Sequence, residues 1–443
     1  SDLGHHFWIS LFRQGPRIPQ YWHHLPALIQ QSKKIAPHST PMNLHPLWGV
    51  ACLVTGIFTA FMLRRIPAPN CFHEGRHQNL DGLRGVLALI IFICHAATWQ
   101  QYLGDGRWRI SDSPFYILPG QTGIVIFFMV TAFLFTRKFL THEGPHQNWL
   151  HIFSSRLLRL LPAYALMLMV LFLLTLYQTL TNAGQWQTCR PLDFLQWIAF
   201  TLPGAPKLCD FSETQVAVAG VTWPLAYEWV FYFSLPFLAL LTGKRPGIWV
   251  ISVSLLCLLV SIRMLPAYSV VYLSFAIGIA SAFLDFHRPS LTLQHSRWAA
   301  LLAFCILVLN SFLHPQSSYT WTSVLVIALA FHIFASGNTF FGILSTRTFQ
   351  VFGLCTYSLY LFHGLLLYFS LYSLVSIWPN LHVDNFSYWA AIFLLTPVLV
   401  TGSLFIYLFV EHPPLQRSKA LSSWVEKQWN HLQLGFQRQH PRP

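Results

Sequence analysis

Within the apolar run Leu80 to Trp99, Arg84 and His95 stand eleven residues apart. At ~100° per residue this spacing is three turns plus about 20°, so both side chains share one helix face, roughly 16 Å apart along the axis. A guanidinium and an imidazole are costly in hydrocarbon and normally face a bundle interior or a wet cavity. Asp81, three residues before Arg84, can pair with it, which leaves Arg84 either a structural ion-pair partner or a functional cation. His95, aligned with that arginine, is read as functional. Asp81, Arg84, Gly85, Ala88 and His95 form one stripe, so the polar face also carries small residues that admit a second helix closely.

Other polar groups punctuate other apolar segments. Arg156 and Arg159 are three apart at a helix entry, where two guanidiniums can grip phosphates or anchor to lipid headgroups. Thr222-Trp223-Pro224 reads as a helix start, which puts Glu228 about one turn into the membrane. His95 is expected at a similar depth, making the two a candidate general base and its orienting carboxylate, or else Glu228 a wetted rim group. His363 falls near mid-membrane, where it lines the same cavity or hydrogen-bonds a neighbouring helix. Glu411-His412-Pro413-Pro414 reads as an architectural helix stop. The 21 histidines are scattered and show no metal-ligand spacing, so no metal is expected. Cys189 and Cys209 share a long loop in which an oxidising compartment would permit a disulfide.

The elements that must hold these groups are helices. Charged residues make up 9% of the chain and hydrophobic ones 54%, against ~25% charged in a soluble domain, so the protein is an all-α polytopic membrane protein. Eleven spans are predicted: 46–63, 80–99, 117–136, 157–180, 223–241, 248–264, 268–284, 298–313, 319–336, 351–376 and 388–410. One set of connections, with the C-terminal tail, carries 16 Lys and Arg; the opposite set carries four. The basic side is expected to be cytoplasmic, so the net charge of +13 reflects loop bias rather than nucleic-acid binding. Residues 1–45 are expected outside or on the membrane surface, 46–66 as a transmembrane helix, 79–415 as the remaining spans and 416–443 as a cytoplasmic tail. No cleavable signal peptide is expected.

The run Asn79-Leu80-Asp81-Gly82-Leu83-Arg84-Gly85 with His95, the pair Arg156 and Arg159, Thr222-Trp223-Pro224-Leu225 with Glu228, Tyr357-Ser358-Leu359-Tyr360-Leu361-Phe362-His363 and Glu411-His412-Pro413 occur in one order. Together they resemble the membrane-bound acyltransferase-3 family, which O-acylates glycans and some small molecules. The resemblance implies a ten-helix core, here with one added N-terminal helix, in a bacterial inner membrane. It implies acyl-CoA, acetyl-CoA above all, as donor, and a hydroxyl of a polysaccharide, lipopolysaccharide or other glycolipid as acceptor on the far side.

By the same resemblance, Arg156, Arg159 and Arg84 hold the coenzyme, and His95 is general base or acyl carrier. Glu228 then orients the imidazole, while Asp81, Tyr360 and His363 line the passage. The family's Ser-Gly after a phenylalanine pair is here Met129-Val130-Thr131-Ala132, which removes a glycine where close approach is expected. The short tail implies a stand-alone membrane enzyme with a separate extracytoplasmic partner. The rival readings are a glycolipid flippase and an acyltransferase for a macrolide or similar small molecule.

Overall fold

A computed structural model describes residues 45–66, 77–142, 144, 147–181, 189–265, 268–289, 291–381 and 384–417, and among them there are helices and connections but no strand. The expected extension before His45 and the tail beyond Arg417 lie outside the described residues. Each of the eleven predicted segments coincides with helix. In order, the elements are α1 Pro46–Leu63, α2 Gln78–Asp105, α3 Pro114–Thr141, α4 Trp149–Thr181, the short α5 Pro191–Ile198 and α6 Thr214–Ala217, then α7 Trp223–Leu241, α8 Ile248–Met264 and α9 Ser269–His287. There follow α10 Leu291–His295, α11 Arg297–Leu313, α12 Trp321–Ala335, α13 Arg347–Leu354, α14 Thr356–Ile377, α15 Asn385–Ile406, a π-helical turn Tyr407–Glu411 and α16 His412–Gln416. Among the described residues, eight helices are long and apolar enough to cross a membrane; α8, α11 and α12 are shorter apolar helices. Large apolar side chains such as Trp249, Leu256 and Phe312 are exposed on the perimeter, which suits a lipid-facing surface.

The Asp81-Gly82-Leu83-Arg84-Gly85 run works by omission of side chains on one face. A Cβ on Gly82 would stand 2.2 Å from the Leu344 carbonyl oxygen, and one on Gly85 would stand 2.5 Å from Cβ of Phe352. From the other side, a Cβ on Gly353 would meet the Asp81 carbonyl oxygen at 2.7 Å. Helices α2 and α13 therefore meet backbone to backbone, the close approach that small residues permit. The predicted span 351–376 is accordingly not one straight helix. Element α13 lies against the start of α2, the chain breaks helix at Cys355, and α14 then rises through the bundle. The glycine missing near Met129 is supplied by the facing helix: a Cβ on Gly278 of α9 would lie 2.3 Å from the Met129 carbonyl oxygen and 2.8 Å from Cβ of Ala132.

A further departure concerns the connection 181–222 between two predicted spans, expected as a loop. Leu208, Val216, Ala217, Val218 and Val221 are buried in the main apolar core. Non-helical backbone at such depth requires internal partners. Leu208 N–H donates to Thr214 Oγ1 at 3.1 Å, Gln215 Nε2 to the Ala205 carbonyl at 2.7 Å and Trp197 Nε1 to the Pro206 carbonyl at 2.9 Å. Cys189 and Cys209 are disulfide-bonded, tying this buried stretch to the residue that precedes α5 by two positions.

Helix α1 packs through Gly49, Cys52, Gly56 and Ala60, one small-residue face. Its start meets Tyr116, whose hydroxyl donates to the His45 carbonyl at 2.9 Å, and Phe386, whose ring lies 5.5 Å from that of Trp48. Its end meets Arg347, whose Nε donates to the Arg64 carbonyl at 3.5 Å.

Candidate functional site

Five helices frame a cavity of about 850 Å³ of atom-free space, its open mouth included: α2 contributes Arg84, α3 an apolar wall with Phe127, Phe128 and Thr131, α4 Arg156 and Arg159, α7 Glu228 and Tyr232, and α14 Tyr357 and Tyr360. Arg156 and Arg159 share one side of α4 because three residues bring a helix nearly full circle. The guanidinium carbon of Arg156 lies 5.2 Å from the Phe135 ring centre, and that of Arg84 lies 5.8 Å from the Phe127 ring centre. Aromatic faces attract cations without competing for their N–H groups.

Carboxylates balance these cations. Arg84 Nη1 stands 3.9 Å from Asp81 Oδ1, with both side chains largely buried. The carboxylate of Glu228 accepts from Tyr232 Oη at 3.1 Å and feels Arg84, Arg159 and Arg156. The carboxylate of Glu411, 3% exposed, accepts from the Ser358 hydroxyl and feels Arg159 and Arg84. The π-helical turn Tyr407–Glu411 directs it inward. Tyr357 Oη donates to the Leu160 carbonyl at 3.1 Å, and Tyr360 Oη to the Val221 carbonyl at 2.8 Å, which couples the cavity wall to α4 and to the buried segment before α7.

His95 lies outside the cavity lining. Its Nδ1 is 3.1 Å from the Ile91 carbonyl oxygen and 3.0 Å from Nε2 of His363, and the two imidazole centres are 4.9 Å apart with 28° between their planes. Tyr360, one turn before His363 on α14, stands between: its ring is 6.0 Å from His363 and 6.4 Å from Phe127. Arg84, Arg156, Arg159, Glu228 and Tyr360 all line the cavity, and His363 lies one turn after Tyr360 on the same helix.

Two expectations need correction. Glu228 is not the partner of His95: the His95 ring meets the Ile91 carbonyl and His363, while Glu228 faces the cavity with the arginines and Tyr232. Asp81 and His363 do not line the cavity: Asp81 backs onto Gly353 of α13, and His363 is wholly buried behind Tyr360. Arg84, Arg156, Arg159, Glu228 and Tyr360 do come together there. Glu411, Ser358 and Tyr232 were missed as members of the group. A carboxylate in the last turn before Pro413-Pro414 and a tyrosine four residues after Glu228 were the available signals.

At the end of the bundle away from the arginines, Trp223 leads an aromatic set, with ring centres 5.9 Å from Tyr227, 6.2 Å from Tyr268 and 6.1 Å from Tyr319. Tyr268 is exposed and Trp223 half-buried. Trp223 also touches the cavity wall, 6.1 Å from Phe128. Among the described residues, no group of three or more His, Cys, Asp or Glu could hold a metal ion.

The family described as an acyltransferase domain matches residues 77–408, most of the chain. Nodulation protein 10 of Rhizobium leguminosarum bv. viciae is 28% identical over 207 residues, which cover 41% of this chain and 50% of that protein. The chain thus spans about half the length of the curated relative it matches. No solved structure matches it.

Proposed function

This chain belongs to the membrane acyltransferase-3 family, and from that premise we propose that it moves an acetyl group from acetyl-CoA to a hydroxyl of a cell-envelope glycan. It is an integral multi-pass membrane protein and an acyltransferase. The observation that carries the finer reading is the gathering of three guanidiniums and the Glu228 carboxylate around one cavity, with Glu411 buried close enough to feel two of them and a paired imidazole one helical turn from Tyr360.

Coenzyme A is recognised through its phosphates. Arg156, Arg159 and Arg84 offer three forked, permanently charged groups along the cavity lining. The same three groups suit a polyanion, since they face a cavity rather than bulk water. The arginine end is the cytoplasmic one in this reading, because the basic connections cluster there. The pantetheine arm then lies along the apolar wall of α3 and carries the thioester toward His95. The acceptor hydroxyl approaches from the opposite end, where Trp223, Tyr268 and Tyr319 present amphipathic rings suited to a sugar. His95 takes the hydroxyl proton as the acceptor oxygen attacks the acyl carbon. The C–S bond breaks, and the departing thiolate recovers a proton.

The test is ligand-dependent thermal stability of the purified protein. At a free concentration 100 times its Kd, a ligand specific for the native state adds about 2.7 kcal/mol. Coenzyme A and acetyl-CoA should both raise the unfolding temperature, and Arg156→Ala and Arg159→Ala should remove most of the rise. A glycolipid flippase using the same charges would show no response to either ligand, and that result would end the acyltransfer assignment to this cavity.

A further inference from the structure

We propose that His363 is a positioning residue that holds the proton of His95 on Nδ1, so that His95 presents a bare Nε2 to the reacting hydroxyl. The inference rests on acyl transfer at this site but adds a residue and a protonation pattern to it.

The pattern follows from two backbone carbonyls. Nδ1 of His363 faces the Leu359 carbonyl oxygen at 3.3 Å, and Nδ1 of His95 faces the Ile91 carbonyl oxygen at 3.1 Å. Each carbonyl belongs to the residue four positions earlier on the same helix, and a carbonyl oxygen can only accept. A lone pair on either Nδ1 would therefore be set against a lone pair on oxygen. Both neutral rings keep their proton on Nδ1. Nε2 of His363 is then unprotonated and faces Nδ1 of His95 at 3.0 Å, where it accepts. The N–H of His95 Nδ1 is shared between Ile91 and His363, and two acceptors hold it in place. Nε2 of His95 is left with its lone pair and has no hydrogen-bond partner among the described residues.

The surroundings fix His363 more firmly than His95. His363 is wholly buried, its ring edge-on to Phe92 at 6.3 Å and to Tyr360 at 6.0 Å, whereas His95 is half-buried. The next residue, Gly364, admits the backbone of the buried segment: a Cβ there would lie 2.4 Å from the carbonyl carbon of Val218. Helix α14 is thus pinned beside His363 by a neighbour that approaches closely. A ring so confined can orient another.

In the reaction, the acceptor O–H proton passes to Nε2 of His95 while its oxygen bonds to the acyl carbon. The imidazolium so formed keeps its Nδ1–H on the lone pair of His363. The C–S bond breaks, and the Nε2 proton goes to the thiolate sulfur, restoring the starting tautomer.

Two measurements test this. In protein labelled with ¹⁵N-histidine and held in detergent, long-range ¹⁵N–¹H correlation spectra identify the tautomer of each ring, with His95 assigned by its loss in His95→Gln. A protonated Nδ1 and bare Nε2 at His95 are expected; a protonated Nε2 overturns the proposal. His363→Phe keeps a ring but removes the acceptor, and His363→Gln restores an acceptor near the position of Nε2. Phe should lower kcat on the order of 10²-fold, with KM for acetyl-CoA unchanged, and Gln should recover it to within about tenfold. Unchanged kcat in the Phe variant, or no recovery in Gln, overturns the role. Should the Phe variant fail to fold, the tautomer spectrum of the unaltered protein decides. Loss of the coenzyme-dependent stabilisation in the unaltered protein would instead remove acyl transfer itself, and the spectrum would still report the ring pair.

Discussion

Replacing Gly85 by alanine places a methyl carbon 2.5 Å from Cβ of Phe352, 2.7 Å from its carbonyl carbon and 3.0 Å from the Gly353 nitrogen. None of these atoms can swing away on a side-chain rotation, because two belong to the backbone and the third is fixed to it. Helices α2 and α13 must separate by several tenths of an ångström, and overpacking of this kind costs about 1–3 kcal/mol. The intrinsic preference of alanine over glycine inside a helix offsets roughly 0.5–1 kcal/mol of that cost. Gly123 of α3 supplies the control. A Cβ there meets only Ile91 and Leu87 side-chain atoms at 3.6 Å, ordinary contact, so Gly123→Ala should stabilise by roughly the propensity alone. Thermal unfolding of both variants in one detergent, followed by a thiol-reactive dye or by scattering, should move in opposite directions. Arg84 is one residue before Gly85, so the separation should also weaken the coenzyme-dependent rise in unfolding temperature. If Gly85→Ala is as stable as the unaltered protein and binds coenzyme equally well, the backbone contact between α2 and α13 is not what places the arginine.

Other perturbations bear on separate parts of the site. His95→Ala should abolish acetyl transfer while leaving coenzyme-dependent stabilisation intact, as read by product formation beside a thermal shift. Glu411→Ala removes a buried carboxylate that accepts from Ser358 and feels Arg159 and Arg84, and leaving the buried Ser358 hydroxyl without its acceptor should destabilise by about 1–3 kcal/mol; Glu411→Gln, which still accepts from Ser358, should lose less. Trp223→Ala should raise KM for the glycan acceptor several-fold without altering KM for acetyl-CoA, and equal effects on both would place the aromatic set elsewhere in the mechanism. Cys189 and Cys209 close a loop with a sequence separation of 20, so Cys189→Ser should cost about 3 kcal/mol at most, measured by denaturation with and without reductant.

Hydropathy alone located every long helix, because a bilayer demands continuous apolar runs and leaves few other ways to place them. It also brought Arg84, Arg156, Arg159 and Glu228 forward as the groups to watch, since charge inside such runs is rare. What it could not supply was how the connection before Trp223 packs. Residues Val216 to Val221 are buried in the core although they lie in a connection between helices. Such burial depends on partners far off in sequence: Tyr360 holds the Val221 carbonyl and Gly364 clears space for Val218. The pairing of His95 with His363 spans 268 positions and rests on the rotation of two helices, which no local period encodes. Glu411 was read as architecture because Pro413-Pro414 ends a helix; the widened turn just before it, which changes the direction of the carboxylate, leaves no mark in composition.

That widened turn has a bearing on how such a site can be lost or gained. A π-turn holds one residue more than the α-helical register would, so the ladder above Tyr407 and the ladder below Glu411 are out of phase by about 100°. Deleting a single codon within this stretch would restore an unbroken helix. The acidic group would then rotate away from Ser358 and from the two arginines it now feels. The site's charge balance therefore hangs on a reading-frame-neutral change of one residue, at a point where every neighbouring side chain could stay the same.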